Sequence, residues 1–332
     1  MLNKQHIISR LLFRLIFSMA SKSQLTIIIP VYNRAKIVKS TLDSVASQTL
    51  RPLEVILVDN NSSDNTLEVL NEWKQEVETD DFRVKILSES TPGAAVARNR
   101  GIKEASTTYT MFFDSDDIMH STHAKRVIDT FNSNKKIDVV GWDIYKTHLD
   151  NSIIKYPFLP KNTLYNHIFH STFSTQRYAA RTDLFKKIDG WNEALLGWDD
   201  YELGVRILSI HPTIKKVYGE PTVSVISYID SITGTDFSSR PHEWETALNA
   251  IDCTLENSEY RSMKKYVDVR RAILAGFYHR EGAIEEGHRL LGEVLSRSGW
   301  YRKLIMKLFY NIIRKGGRGI ALLARPLLCL SK

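Results

Sequence analysis

Leu53–Asp59 reads LEVILVD, seven residues of which five are apolar and β-branched or leucine, closed by a carboxylate. A short apolar run of this kind, too short for a buried helix, predicts a strand covered on both faces. The same pattern precedes it at Leu25–Pro30 (LTIIIP) and returns in shorter form at Val84–Leu87 and Tyr109–Phe113. Between these runs the apolar spacing changes to that of helices. Ala35–Gln48 carries Ile37, Val38, Leu42, Val45 and Ala46 on one face, Thr66–Val77 follows a polar cluster in which Asp64 can cap it, and Gly93–Ala105 opens on glycine. Strands alternating with helices, each strand nearly all apolar, predict a mostly parallel α/β sheet with helices on both faces.

Such sheets bind ligands beyond the carboxyl ends of their strands. Tyr32-Asn33 follows the first strand, Asp59 ends the second, and Asp114-Ser115-Asp116-Asp117 follows the fourth. Three carboxylates in four residues repel one another unless solvent or a cation relieves them. At a strand end the pattern suits Mg or Mn, which bind through one or two carboxylates plus substrate phosphates, or else an exposed turn capping the next helix. Asp59 suits a base N–H or ribose hydroxyl, or a capping loop. Gly197–Glu202 (GWDDYE) precedes an apolar helix, where acidic residues are favoured by the helix dipole whatever else they do.

The rest of the chain is less regular. Val139–Ile144 and Val217–Ser227 read as strands and Tyr201–Ile210 as a helix. Ala272–Tyr278 and Ile284–Leu295 form a helix pair. Tyr301–Lys315 places Leu304, Ile305, Leu308, Phe309 and Ile312 on one face and Arg302, Lys303, Lys307, Arg314 and Lys315 mainly on the other. The chain has 332 residues, 43% apolar and 25% charged, with a net charge of +7 and two cysteines, Cys253 and Cys329, too far apart to suggest a metal set. Nine Lys/Arg and no Asp/Glu lie between Arg297 and Lys332, and four Lys/Arg and no Asp/Glu between Met1 and Lys22. The body between them is therefore net acidic. That argues against a nucleic-acid partner and suits ends resting on an anionic membrane surface. Leu11–Phe17 is an apolar run interrupted by Arg14: an amphipathic leader, or an over-extended start with Met19 as the true one. The expected organisation is a basic apolar segment (1–22), a sheet domain (23–240), a helical extension (241–296) and a basic amphipathic membrane-associating tail (297–332), the alternative for the tail being a helix packed on the body. Removal of Tyr301–Lys332 is expected to leave a folded protein.

Five segments in order carry a family resemblance: Ile27–Arg34 (IIIPVYNR), Leu53–Thr66 (LEVILVDNNSSDNT), Gly93–Ile102 (GAAVARNRGI), Met111–Asp117 (MFFDSDD) and Ile188–Ile207 (IDGWNEALLGWDDYELGVRI). Over roughly 24–230 the chain resembles the family 2 glycosyltransferases, which have the GT-A fold. The resemblance implies an α/β, GT-A-type nucleotide-binding sheet with helices on both faces, followed by a helical C-terminal region. It implies an inverting transfer of a sugar from a nucleotide-sugar donor, usually a UDP-sugar, to an acceptor hydroxyl. At matching positions Pro30, Tyr32 and Asp59 form the base and ribose pocket, and Arg98 contacts the donor. Asp116 holds a divalent metal, Mg or Mn, with Asp114 on the ribose or a metal water. Asp200 is the catalytic base, with Asp199 standing where the family commonly has Glu. Trp198 and Trp191, beside the base, either stack on a sugar or pack. His167, His170, His211, Trp73 and Trp244 read as structural or surface residues, and Tyr228–Arg240 as a loop that closes on donor or a plain connection. The expected partner is a saccharide or lipid-linked saccharide acceptor of cell-envelope polysaccharide synthesis. The expected location is cytoplasmic, peripheral on the inner face of the membrane. The competing classes are a non-catalytic sugar-nucleotide or carbohydrate-binding relative, which would be expected to lose one of Asp59, Asp116 and Asp200, and a nucleotidyltransferase, which would place a glycine-rich loop where PVYNR stands.

Overall fold

A computed structural model describes residues 23–227 and 236–329. Strand β1 (Leu25–Val31) leads through helix α1 (Val38–Ala46) to β2 (Leu53–Asp59), then through α2 (Thr66–Val77) to β3 (Phe82–Ser88), and through α3 (Ala94–Glu104) to β4 (Tyr109–Phe112). The four strands are parallel in the order β3–β2–β1–β4. Side-chain alternation explains why both faces are covered. Ile28, Ile56 and Val58 pack with Ala95, Ala97 and Ile102 on one side. Leu25, Ile27 and Ile29 pack with Val38, Leu42, Leu70 and Trp73 on the other. Trp73 also donates its indole N–H to Asp43 at 3.2 Å.

After β5 (Ile118–Met119) and α4 (His123–Asn132), the stretch read as one strand, Val139–Ile144, divides into β6 (Val139–Gly141) and β7 (Ile144–Thr147). The division sends β6 to the main sheet and β7 to a second, small one. There follow β8 (Ile153–Tyr156), α5 (Thr163–His170), β9 (Tyr178–Arg181) and α6 (Thr182–Lys187). Next come α7 (Asp199–Ser209), β10 (Ile214–Lys216) and β11 (Val223–Ile226). The predicted strand Val217–Ser227 survives only as β11, because Gly219 at φ 111° and Pro221 break its first half. β9 runs antiparallel between β4 and β6, so the main sheet reads β10–β6–β9–β4–β1–β2–β3 among the described residues. β5, β11, β7 and β8 form the small sheet. Strand β9 is absent from the sequence reading: Tyr178–Arg181 is a four-residue run flanked by polar residues, too short to give a period.

The C-terminal region is helical: α8 (Pro241–Glu256), α9 (Lys264–Arg280), α10 (Ile284–Ser296), α11 (Trp300–Arg314) and α12 (Ile320–Cys329). Helix α9 is its centre, burying Val267, Val269, Ala272, Leu274 and Tyr278. Helix α11 docks there through Ile305, Met306, Phe309, Tyr310 and Ile313. Gly276 permits the approach, since a Cβ there would lie 2.8 Å from Ile313 and 3.0 Å from the Tyr310 carbonyl oxygen. This corrects the expectation for the tail. Of its apolar face, Ile305 and Phe309 belong to the core, and removing Tyr301–Lys332 would strip the cover from α9. Leu304, Leu308 and Trp300 remain exposed, on a stripe that also carries Lys303 and Lys307. No described helix is long and apolar enough to cross a membrane. The leader 1–22 and most of the Tyr228–Arg240 stretch lie outside the described residues.

Candidate active site

In the order β3–β2–β1–β4 the chain reverses direction between β1 and β4, and the crevice at a reversal point is where open α/β sheets bind ligands. Its walls are the loops after β1 and β2, which are bonded together. Asn33 sits in the left-handed region at φ 50°, its backbone N–H donates to Ser62 Oγ at 3.0 Å, and its Oδ1 accepts from the Ser63 N–H at 2.8 Å. Arg34 N–H donates to Thr66 Oγ1 at 2.8 Å. The N-cap of α2 is Asn65, without a side-chain cap bond; Asp64, expected to cap, sits one residue earlier and accepts from the Thr66 N–H at 3.0 Å. Pro30 and Val31 pair with Val58 and Asp59, which brings Pro30 and Asp59 to one pocket edge, with exposed Tyr32 just beyond. Asp59 is 4% exposed. Its Oδ2 accepts weakly from the Ser62 N–H at 3.4 Å, while Oδ1 is buried with no partner. A buried acceptor without a donor is costly, so Asp59 is suited to a ligand N–H or hydroxyl. Asn60 holds the neighbouring loop, donating to the Glu89 and Thr91 carbonyls and accepting from the Gly93 N–H at 2.8 Å.

The acidic cluster after β4 resolves into three different groups. Asp117 is 1% exposed, accepts from the Ile226 N–H at 3.0 Å and thereby ties the cluster to β11. Burial and the neighbouring Asp114 and Asp116 push its carboxyl well above the usual range. Asp114 has both oxygens engaged, Oδ1 by Arg98 at 2.9 Å and Oδ2 by Gln176. Asp116 keeps a side chain 22% exposed, with Arg34 Nη2 4.0 Å away. Burial, followed by repulsion from Asp114, raises its pKa to about 6. Among the described residues no three His, Cys, Asp or Glu side chains converge on a cation site. Asp116 is the one carboxylate of the cluster that accepts no hydrogen bond from another residue among the described residues.

Arg98, from α3, is the centre of the site and is not where a donor could reach it freely. Its guanidinium is 7% exposed, bonded to Asp114 at 2.9 Å and to Asp199 at 2.9 Å, and lies over Trp191, 4.3 Å from the ring centroid. Trp191 is thereby covered, 2% exposed, and packs against Phe112, so of the two readings open to it packing holds. Asn99 grips the same loop: its Nδ2 donates to the Trp191 carbonyl at 2.9 Å and its Oδ1 accepts from the Trp191 N–H at 2.8 Å. Gly190, at φ 63°, leaves room for that amide, since a Cβ would lie 2.3 Å from Asn99 Oδ1. Gly190→Ala is expected to cost about 1–3 kcal/mol from strain alone, read as a lower Tm; an unchanged melt would show that the Asn99 clamp does not hold this loop.

Trp198, at φ 54°, packs its ring on Tyr201, Trp244 and Phe237 and starts α7. The three acidic residues of the first turn then diverge. Glu202 is buried in a two-point pair with Arg206, at 2.7 and 2.8 Å, and Arg206 also donates to the Ile188 and Gly190 carbonyls. Asp199 is held by Arg98 and accepts from the Asp200 N–H at 3.0 Å. Asp200 alone has no ion pair and no side-chain hydrogen bond to its carboxylate among the described residues, the Tyr201 backbone N–H being its one donor. Burial and Asp199, opposed by Arg98, push its pKa well above the usual range. The histidines are structural or peripheral: His167 is buried, donating to the Tyr201 carbonyl at 2.8 Å, and His211 pairs at the surface with Glu259.

A doubly wound sheet with an acidic strand end at its reversal point and a second acidic pair bolted to it by arginine gives the chain a GT-A-type α/β fold. Residues 26–186, 161 of the 332 residues, match the profile of glycosyl transferase family 2. It is 28% identical over 173 residues to the uncharacterized glycosyltransferase EpsJ of Bacillus subtilis, covering 49% of each chain. The chain spans about half or less of the length of the first curated relatives it matches. Among solved structures it shares the fold of S. aureus TarS 1–349 in complex with UDP-GlcNAc, with a TM-score of 0.66, 18% identity, and 88% of this chain and 87% of that one covered. It also shares the fold of the mannosyltransferase PcManGT from Pyrobaculum calidifontis in complex with GDP-Man and Mn2+, with a TM-score of 0.55, 15% identity, and coverage of 98% and 94%.

Proposed function

We propose that the protein is an inverting glycosyltransferase that moves a sugar from a nucleotide-sugar donor, a UDP-sugar by preference, to a hydroxyl of a saccharide acceptor. The observation that carries this reading is the chain of contacts Asp114–Arg98–Asp199, which fixes the carboxylates at the strand end beside the unpaired Asp200. In this reading Asp59 accepts from the nucleoside and Asp116 holds the metal. A bound Mg or Mn supplies charge neutralisation to the departing diphosphate. The acceptor oxygen bonds to the anomeric carbon as the bond to the diphosphate oxygen breaks; the electron pair leaves with the nucleoside diphosphate, and the hydroxyl proton passes to Asp200. Folds of this type with UDP-GlcNAc and with GDP-Man and Mn2+ support the donor class. The test is binding of UDP- and GDP-sugars with and without Mn2+. Asp116→Asn is expected to weaken the metal-dependent part at least about tenfold, one lost charge-assisted contact. Equal binding by the variant would remove Asp116 as the ligand, and absence of binding to every nucleotide-sugar would remove the transferase reading.

The acceptor in this proposal is a lipid-linked saccharide of cell-envelope polysaccharide synthesis, met at the inner face of the membrane. Support comes from the exposed α11 stripe of Trp300, Leu304 and Leu308 with Lys303 and Lys307, a pairing of apolar and basic residues that suits an anionic bilayer. Lys303→Glu with Lys307→Glu leaves the buried face untouched and is expected to abolish co-sedimentation with anionic vesicles at an unchanged Tm. Undiminished co-sedimentation would remove α11 from the contact.

A further inference from the structure

Arg270, on α9, is the exception among the partly or fully buried arginines around α7. Arg98, Arg206 and Arg271 each meet a carboxylate, at 2.9, 2.7 and 2.8 Å, and Arg177 donates to backbone carbonyls. Arg270 has no ion pair among the described residues; it hydrogen-bonds the Tyr201 hydroxyl, while its Nε is buried without a partner. What it has instead is aromatic: its guanidinium lies 5.2 Å from the centroid of Trp198 and 5.7 Å from that of Tyr201. The nearby Asp252 does not serve it, being held by Arg271. The field around Arg270 is positive, and with burial it lowers the pKa of His167 and His170.

A partly desolvated guanidinium without a carboxylate is costly, and a face stacked on aromatic rings leaves the remaining N–H groups of the planar fork to bind an oxyanion edge-on. The rings beneath it belong to Trp198 and Tyr201, which flank Asp199 and Asp200 in the chain. Helix α9 lies outside residues 26–186, the part that matches the family profile. We propose that Arg270, seated on Trp198 and Tyr201, forms an oxyanion subsite on the acceptor side of the active site and takes a phosphate group of the acceptor. The word acceptor rests on the proposed function; the binding of phosphate does not. A terminal phosphate and an internal phosphodiester share this chemistry.

The test uses the full chain in EDTA with saturating UDP, so that the donor's phosphate site is filled. Glycerol 3-phosphate and dimethyl phosphate are the probes and glycerol the neutral control, followed by calorimetry and by tryptophan fluorescence, since Trp198 lies under the cation. One or both phosphates are expected to bind and glycerol not to bind. Arg270→Ala is expected to weaken phosphate binding about tenfold to a hundredfold, the loss of charge-assisted hydrogen bonds. Arg270→Lys, which keeps the charge and the fold but loses the fork, is expected to fall between. Preference for the monoester points to a terminal phosphate and for the diester to an internal one. Equal affinity in wild type and both variants, or no phosphate binding once UDP is saturating, overturns the subsite. Sugar transfer with no phosphate binding sinks the subsite alone; phosphate binding that depends on Arg270 without nucleotide-sugar binding sinks the transferase reading alone.

Discussion

Asp200→Asn is expected to lower sugar transfer by about 10²–10⁴-fold, the usual worth of general-base help, while leaving donor and metal binding as in wild type. The amide keeps the volume and cannot take a proton. In the proposed site the donor is bound through other groups, Asp59 at the end of β2 and Asp116 on the loop after β4. The pH dependence follows from the same environment. Burial and Asp199 favour the neutral form of Asp200, and only the ionised form can act as a base. Transfer should therefore fall as pH drops through a range well above the ordinary carboxylate value of about 4, and the Asn variant should lack that limb. Normal transfer by Asp200→Asn, or a limb at the ordinary carboxylate value, would move the base elsewhere. Asp199→Asn is the control that separates the adjacent positions: it loses the Arg98 pair but keeps the carboxylate of Asp200.

Arg98→Leu is expected to be the most damaging single change to the fold of the site. Removing one partner of a buried ion pair typically costs about 3–5 kcal/mol. The lower end applies here, because Asp114 and Asp199 are 28% and 19% exposed and water can reach them. The Tm should fall by several degrees and activity should be lost, since Asp114 and Asp199 then repel without a cation between them. Arg98→Lys should keep much of the stability and little of the activity: an ammonium can reach one carboxylate but cannot bridge two as the planar fork does. A leucine variant with wild-type Tm and turnover would show that the Asp114–Arg98–Asp199 chain is incidental. Gln176, which engages the second oxygen of Asp114, would then carry its orientation alone.

The sequence carried the parallel half of the fold because each strand there is buried on both faces. LTIIIP, LEVILVD and the run ending at Phe113 are nearly unbroken apolar stretches, and Asp59 and Asp114–Asp117 stand at their ends where the chain must leave the sheet. It carried less of the antiparallel half. β9 is four residues long, and β6 and β7 read as one strand until the sheet to which each belongs is known. The small strands owe their conformation to their neighbours and so leave little periodic trace. Gln176 had no local pattern to reveal it, and Asn99 could be found only through the family segment that contains it.

What the sequence by itself determined is the chemical inventory and its order: a carboxylate after the second strand, a cluster after the fourth, a pair before a helix, and basic ends on an acidic body. Only the tertiary structure decided which member of each set is free to act. Asp114, Asp117, Asp199 and Glu202 are each held by arginine, an amide or a strand's backbone N–H, whereas Asp116 faces Arg34 at 4.0 Å and Asp200 has no side-chain partner among the described residues. Structure also divided the tail, sending Ile305 and Phe309 into the core and leaving Leu304 and Leu308 outside. The physical reason is common to both. A residue type states what a side chain can do, but its hydrogen-bond partners and its exposure are set by segments distant in the chain, and those decide whether a carboxylate is a strut or a base.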